Sequence, residues 1–174
     1  MRFPLVNTSL YTEPFLREFS RWTLRPLFRT GCVLLGTLTL LGGILLLIWY
    51  EHRHRALCLF LLAASVYFWW QLFSAPKRLA ARRYHSDLDL YHEPVTAVTA
   101  FSPDGFTHKN LQSGGMVTLA YRQIRRVVQT RSMVILLLEK HMAIPLARDG
   151  FGGESCASFL AFLHDRRADL KIKF

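Results

Sequence analysis

The chain has 174 residues, of which 51% are hydrophobic and 20% are charged, and its mean hydropathy is +0.18. This length fits one modest domain or a small domain with an appendage, and the mean hydropathy is high for a water-soluble protein. The formal net charge is +10, and residues 1–94 and 95–174 each contain 11 basic and 6 acidic residues, which excludes a neutral body with a basic tail. A basic balance alone is compatible with anionic lipid or with nucleic acid.

Residues 1–30 are predicted to form a short strand and a helix. The strand-like segment RFPLVNTSL precedes Thr12, which suits a helix N-cap, and Pro14, which suits a first helical turn. Arginines then recur every four residues, in one slanting stripe along a helix: Arg17, Arg21, Arg25 and Arg29. We expect a helix that bends at Pro26 and either lies near the inner leaflet of a membrane or packs on the protein's own cytoplasmic domain with its charged face in water.

Residues 31–75 are predicted to form a transmembrane helical hairpin. Residues 32–50 carry no charge, and residues 56–74 have Gln71 as their strongly polar member. Each segment has the length of about 20 residues that a helix needs to cross a hydrocarbon layer of about 30 Å. So short a chain could not enclose two uniformly apolar helices, which disfavours a soluble core. A cleavable signal peptide is disfavoured because a second apolar segment follows the first so closely.

The orientation of the hairpin is predicted from the lysines and arginines beside it. The connecting turn, residues 51–55, offers Arg53 and Arg55. More basic residues lie before the first segment and after the second, namely Arg17, Arg21, Arg25, Arg29, Lys77, Arg78, Arg82 and Arg83. Both termini should therefore be cytoplasmic and the turn outside. The tryptophans near the segment ends fit interfacial belts.

Small residues along the two segments predict close packing between the helices. They are Gly36, Thr39, Gly42 and Gly43 on the first segment, and Ala63, Ala64 and Ser65 on the second. Cys32 and Cys58 would lie at opposite ends of the hairpin, too far apart for a disulfide. All of the cysteines, including Cys156, are interpreted as small apolar fillers.

From Pro94 onward the pattern predicts an antiparallel β-meander of six short strands. Turns are indicated at residues 102–105, at Gly114–Gly115 and at Lys140–His141, and the pattern breaks near Gln123. The continuous apolar segment VILLLE should be the most buried strand. Residues 154–170 predict an amphipathic helix that closes the sheet, with Cys156, Phe159, Leu160 and Leu163 on its apolar face. The N-terminal strand could add an edge to this sheet.

Three stretches of this second half, FSPDGFTHKN, LAYRQIRRVVQT and AIPLARDGF, together with the order of elements, carry a resemblance to a known family. The chain resembles the YcxB-like family of bacterial membrane proteins over most of its length, best from Phe101 to Phe162. Tyr121, Ile124 and Val127 match a W-x-x-I-x-x-V motif except at the aromatic. Pro145 matches an IP-x-x-x-F ending in which Phe151 lies further on than usual.

The resemblance implies a fold and a membrane address but no reaction. It implies a pleckstrin-homology-like domain over residues 94–174, joined to the hairpin by a juxtamembrane linker at residues 76–93, in an α+β membrane protein of the bacterial inner membrane. Tyr121, Ile124, Val127 and Pro145 are carried over as structural positions, and no catalytic residue is carried over.

A basic cluster around the middle strands is the candidate binding site. It comprises Arg122, Arg125, Arg126 and Arg131 with Lys109, and the binding contact is assigned to Arg122, Arg125, Arg126 and Lys109. Each basic group close to anionic lipid contributes about 1 kcal/mol, so such a cluster would bind well in a tethered domain. The alternative is ordinary exposed charge on a sheet face. Nucleic acid is disfavoured because no recognition helix or exposed aromatic platform accompanies these residues.

Other polar groups predict neither a cofactor nor catalysis. His85, Asp87, Asp89 and His92 are metal-ligand types, but their spacing matches no specific motif and favours a solvated linker. His52 and His54 belong to a turn that is expected to be solvated. Ser155–Cys156 with His141 or His164 would be the nucleophile and base of an enzyme, yet no nucleophile elbow or phosphate-binding loop surrounds them.

The sequence therefore predicts a noncatalytic binding or regulatory module at the cytoplasmic face of the membrane. Its expected contacts are membrane lipids and a membrane or cytoplasmic protein partner, with a homo-oligomer left open. The competing hypothesis is a subunit of a transport or membrane-assembly complex, in which the hairpin packs against other spans and the soluble domain is a scaffold.

Overall fold

The computed structural model describes residues 5–49, 55–139, 142–167 and 169–173, with the backbone alone for Lys171–Lys173. The chain divides into two compact units, one formed by Ser20–Ala81 and the other by Met1–Phe19 with Arg82–Phe174. The predictions for the turn at residues 51–54, with Arg53, His52 and His54, and for the link at Lys140–His141 fall outside the described residues.

Among the described residues, two helices are long and apolar enough to cross a membrane. Helix α1, Glu13–Thr23, ends just before Pro26, and the apolar helix α2, Pro26–Trp49, begins there, as the expected bend requires. The second apolar helix is α3, Arg55–Tyr91. Their most apolar windows have mean hydropathies of 2.4 and 1.8 and are 17% and 11% buried, so the chain itself leaves both helices largely uncovered.

Small residues bring α2 and α3 together as an antiparallel pair. Gly36 lies beside Trp69, and Gly43 lies beside Leu62, so the two helices run in opposite directions. The buried Ser65 hydroxyl donates a hydrogen bond of 2.9 Å to the Gly36 carbonyl oxygen across the pair. Among the other predicted packing residues, Ala63 is exposed and Thr39 bonds to its own helix. Close approach at the glycines and the hydrogen bond from Ser65 to Gly36 therefore define this contact.

Helix α3 extends well beyond the predicted apolar segment, because the juxtamembrane linker at residues 76–93 is helical as far as Tyr91. Pro76 lies inside the helix, but the Ala, Lys, Arg and Leu residues that follow it have high helix propensity. His92 ends the helix with a left-handed φ of 60° and donates its backbone N–H to the Leu88 carbonyl at 2.8 Å. Hydropathy marks the apolar part of this helix, and residues of high helix propensity continue it beyond that part.

The β strands form two four-stranded sheets. The first sheet has the order β1 (Leu5–Leu10), β2 (Thr96–Phe101), β3 (Phe106–Asn110) and β4 (Met116–Leu119). The second has the order β7 (Ala143–Ala147), β6 (Met133–Leu138), β5 (Ile124–Gln129) and β8 (Lys171–Lys173). A 3₁₀ helix at Tyr121–Gln123 separates β4 from β5 at the point where the sequence pattern breaks.

Two strands lie outside the predicted meander. β1 pairs antiparallel with β2, which realises the suggested edge strand. β8 pairs parallel with β5 and was not predicted, because its three residues lie at the end of the chain and carry no strand pattern of useful length. The other pairings are antiparallel, and β6 is buried at almost every position, as its continuous apolar sequence predicts.

A buried polar junction ties β1 to the end of β7. Asn7 donates its side-chain amide to the Ala147 carbonyl at 2.8 Å and accepts from the Ser9 hydroxyl at 2.7 Å. The Ala147 N–H donates to the Ser9 hydroxyl oxygen at 2.7 Å, which closes the network. Asn7 and Ser9 are 0% and 1% exposed, so these bonds replace water for groups that the fold buries. Because β1 belongs to the first sheet, this junction joins the two sheets.

The core lies between the sheets and is closed by helix α4, Cys156–Arg166. Phe159 of α4 packs on Phe101 and Phe151 with ring centroids 4.7 and 4.8 Å away. The buried face of α4 contains Cys156, Phe159, Phe162 and Leu163, whereas the predicted Leu160 is only partly buried. The helix is shorter than predicted because the Ser155 hydroxyl caps its start and Arg167 ends it.

Candidate functional site

The basic residues that flank the apolar helices are mostly exposed. Arg17 is half-buried, and the exposed members are Arg21, Arg25, Arg29, Lys77, Arg78, Arg82 and Arg83. These charges lie before α2 or in its first turn, and after the apolar part of α3.

The structure brings Arg122, Arg125 and Arg126 to one part of the β unit, and all of them are exposed. Arg122 lies in the 3₁₀ helix, and the other two open β5. A register irregularity between Ile124 and Arg126 allows two consecutive arginines to remain exposed where a regular strand would turn one of them inward. We call these three arginines the basic surface. The Ile124 and Val127 side chains on either side of the pair are fully buried.

Lys109 does not belong to the basic surface. It is exposed on β3, which lies in the first sheet, whereas β5 lies in the second. Arg131 follows β5 in the link to β6. The predicted meander suggested that Lys109 and the arginines form one cluster. Strand patterns alone do not show to which sheet each strand belongs.

Arg167 contacts the backbone of the basic surface, and the sequence analysis did not identify it. Its guanidinium donates to the Arg122 carbonyl at 3.0 Å and to both carboxylate oxygens of Asp169 at 2.6 Å. The hydrogen bond from Arg167 lowers the pKa of the Asp169 carboxyl, and the same bond raises the pKa of Arg167. The pair therefore holds the backbone of the 3₁₀ helix that carries Arg122.

β8 adds basic residues beside β5. In the parallel register Lys171 lies opposite Arg126, and Lys173 lies opposite Val128. Their backbones therefore place two lysine positions along the edge strand next to the basic surface. Lysines on an edge strand also discourage further strand pairing.

A groove of about 330 Å³ opens within the β unit, and we call it the inter-sheet groove because strands of both sheets line it. Most of its lining is apolar, contributed by Phe19, Ala97, Val117, Leu119, Leu138, Met142, Ala143, Ile144 and Pro145. Val117 and Met142 are 48% and 46% exposed, which marks the mouth of the groove. Its polar lining consists of Tyr11, Arg83, His108 and Asn110.

The polar residues of the groove differ in what they can offer a ligand. His108 Nδ1 lies 2.8 Å from the hydroxyl of the buried Thr99, and burial lowers the pKa of the imidazole. Asn110 is engaged, since its side-chain oxygen accepts from the Gln112 and Ser113 backbones. The Tyr11 phenol has its pKa raised to about 12, mainly by burial and against the opposing charge of Arg83.

Arg83 is the cation of the groove. Its guanidinium carbon lies 5.8 Å from the centre of the Tyr11 ring, a distance typical of a cation–π contact. Its Nε lies 4.0 Å from an Asp87 carboxylate oxygen, and the side chain is 53% exposed. The Asp87 side chain is 22% exposed, and a pair at this separation lies at the limit of a salt bridge, so the guanidinium keeps donors for another anion.

The described residues considered for metal binding and catalysis lie mainly in helices α3 and α4 and at the cap of α4. His85, Asp87 and Asp89 lie on the last turns of α3, and across residues 5–49, 55–139, 142–167 and 169–173 no group of three His, Cys, Asp or Glu residues could hold a metal ion. Ser155 is the cap of α4. Burial raises the pKa of the Cys156 thiol despite the nearby Arg148, and His164 is exposed. Cys32 and Cys58 are free and buried, as is Cys156.

The residues carried over from the family motif lie in the core. Tyr121 is 7% exposed, Ile124 and Val127 are fully buried, and Pro145 is buried on β7, an edge strand in which a missing N–H is tolerated. The Tyr121 hydroxyl donates to the Ser102 carbonyl at 2.6 Å, which fastens the 3₁₀ helix to the turn before β3. No protein-family model, curated protein or solved structure matches the chain.

Proposed function

We propose that the chain is a membrane-anchored, noncatalytic binding module of the YcxB-like kind. In this proposal α2 and α3 cross the bacterial inner membrane, both termini are cytoplasmic, and the β unit is a pleckstrin-homology-like domain. The observation that carries the proposal is that two long apolar helices are only 17% and 11% buried over their most apolar windows. Lipid is the environment in which such surface is stable.

The distribution of charge supports the proposed orientation. Arg21, Arg25 and Arg29 surround the start of α2, and Lys77 and Arg78 follow the apolar part of α3, all of them exposed. A positive excess in short flanking segments favours the cytoplasmic side. Tags at both termini should therefore be protected in intact spheroplasts and become accessible after lysis. Accessibility of either tag from outside would reject this orientation.

The proposed contact of the module is the basic surface, and its proposed ligands are anionic lipid headgroups. Three exposed arginines at about 1 kcal/mol each would favour anionic over zwitterionic lipid by about a hundredfold. Two lysine positions on the adjacent β8 lengthen the same edge. The alternative ligand is a cytoplasmic protein with an acidic surface, which would pair with the same arginines.

Retention of lipid by the full chain tests this contact. Native mass spectrometry should show preferential retention of phosphatidylglycerol over phosphatidylcholine. Replacing Arg122, Arg125 and Arg126 by serine should reduce this preference. The matched control replaces the exposed Arg131, Arg148 and Arg166 by serine, which removes the same charge elsewhere.

The outcomes separate the candidate functions. An equal loss of preference in both triple variants would mean that net charge, not the basic surface, attracts lipid. An unchanged preference in both would remove the surface as a lipid site. Recovery of stable membrane partners after crosslinking, independent of these arginines, would favour the competing role in transport or assembly.

A further inference from the structure

We infer that the inter-sheet groove binds a single-chain anionic amphiphile, such as a medium-chain fatty acid, with its chain on the apolar walls and its carboxylate at Arg83. This inference goes beyond the proposed binding of headgroups and does not depend on the basic surface. The two sites use different residues, since none of Arg122, Arg125 and Arg126 lines the groove.

The size of the groove selects the kind of lipid. Its volume of about 330 Å³ lies near the lower end of ligand pockets, which hold roughly 300 to 1,000 Å³. That space suits one hydrocarbon chain of medium length. Val117 and Met142 at the mouth extend the apolar wall into solvent, where they would meet a chain that enters or leaves.

The charge at the groove selects an anionic head. Arg83 is the charged lining residue among the described residues, and its ion pair with the half-buried Asp87 is long, at 4.0 Å. A guanidinium presents a planar set of donors that matches a carboxylate. An amphiphile with an anionic head can therefore pair with Arg83 while its chain contacts the apolar walls. A neutral or cationic amphiphile would lack the ion pair.

His108 supplies a second polar contact inside the groove. Its Nδ1 is engaged by Thr99, and within the described part of the chain its Nε2 has no hydrogen-bond partner. In the tautomer in which Nδ1 accepts from the Thr99 hydroxyl, Nε2 carries the proton and can donate to a carboxylate oxygen. The fully buried Thr99 fixes the ring, so this donor is preorganised.

The test uses the full chain in phosphatidylcholine nanodiscs and a photoreactive analogue of decanoate. After irradiation, labelled peptides should map to the groove, at Val117–Leu119 or Ala143–Pro145. Unlabelled decanoate should compete with the label, and decanol, which has the same chain without the charge, should compete about tenfold less well. Empty nanodiscs supply the baseline.

Two arginines that are neighbours on α3 provide a matched comparison. Arg83→Gln should weaken competition by decanoate by about tenfold, because it removes a charge-assisted hydrogen bond. Arg82→Gln removes the same charge from an exposed residue that does not line the groove, and it should leave competition unchanged. Ala143→Phe, which fills the groove, should abolish labelling there while Arg83 is retained.

Three results would overturn the inference. They are labelling confined to α2 and α3, equal competition by decanoate and decanol, and an equal effect of the two arginine substitutions. The comparison of decanoate with decanol needs only the unmodified chain, so it decides the matter even if a variant folds poorly. A loss of phosphatidylglycerol preference at the basic surface would leave these results unaffected, so the two proposals fail separately.

Discussion

Replacing Asn7 by alanine should detach β1 from β7 and loosen the junction between the two sheets. The substitution removes the bond from the Asn7 amide to the Ala147 carbonyl and the bond from Ser9 to the Asn7 side-chain oxygen. It also leaves the Ser9 hydroxyl, which is 1% exposed, without its acceptor, whereas the Ala147 carbonyl keeps the Gly150 N–H at 3.2 Å.

The expected cost follows from these losses. Each net hydrogen bond contributes about 1 kcal/mol, and a buried donor such as the Ser9 hydroxyl left unsatisfied costs about 1–3 kcal/mol, so the free energy of unfolding of the β unit should fall by about 2–4 kcal/mol. Thr8→Ala on the same strand is the matched control. The Thr8 side chain is exposed, and its backbone N–H bonds to the Gly150 carbonyl at 2.9 Å regardless of the side chain.

Hydrogen exchange measured by mass spectrometry is the suitable assay. Trp22, Trp49, Trp69 and Trp70 all lie in the unit Ser20–Ala81, so tryptophan fluorescence reports on the helices and not on the β unit. In Asn7→Ala, amides of β1 and β7 should exchange faster by roughly two orders of magnitude. Equal exchange in the Asn7→Ala and Thr8→Ala variants would refute the view that this polar network joins the sheets.

Further predictions concern pH and two close approaches of the backbone. Burial opposes ionisation of Glu18, but hydrogen bonds from Ser132 and its neighbours outweigh it and lower the pKa of Glu18. The stability that Glu18 contributes is therefore present above the unfolded pKa of about 4.3 and is lost as pH falls through the folded pKa. Glu18→Gln should remove this part of the pH dependence, measured by hydrogen exchange in the β5–β6 hairpin. Gly36→Ala should loosen the contact of α2 with α3 and shift tryptophan emission, because a Cβ there would lie 3.0 Å from an indole nitrogen. A Cβ at Gly31 meets nothing within 4 Å, so Gly31→Ala should leave the emission unchanged. Gly150→Ala should destabilise the β unit by about 1–3 kcal/mol in chemical unfolding, because its Cβ would collide with the Thr8 carbonyl, whereas Gly152→Ala has open space and should be neutral.

Patterns along the chain were sufficient to predict the elements whose signal is local. The uncharged segments gave two long helices, the bend at Pro26 was confirmed, and the continuous apolar sequence of β6 correctly marked it as the most buried strand. Hydropathy periodicity and turn residues carry this information because they depend on neighbouring residues only. Helix α3 continues past its apolar segment to Tyr91, since charge does not terminate a helix.

Tertiary structure decided which strands meet and therefore where the sites lie. It separated Lys109 from Arg125 and Arg126 by assigning β3 and β5 to different sheets, and it added β8 beside β5. It also gathered Tyr11, Arg83 and His108, which are distant in sequence, around one groove. The sequence by itself determined the apolar helices and the strand-rich second half through short-range patterns. The groove and the basic surface depend on strand partners chosen by the packing of a shared core, which no local pattern encodes.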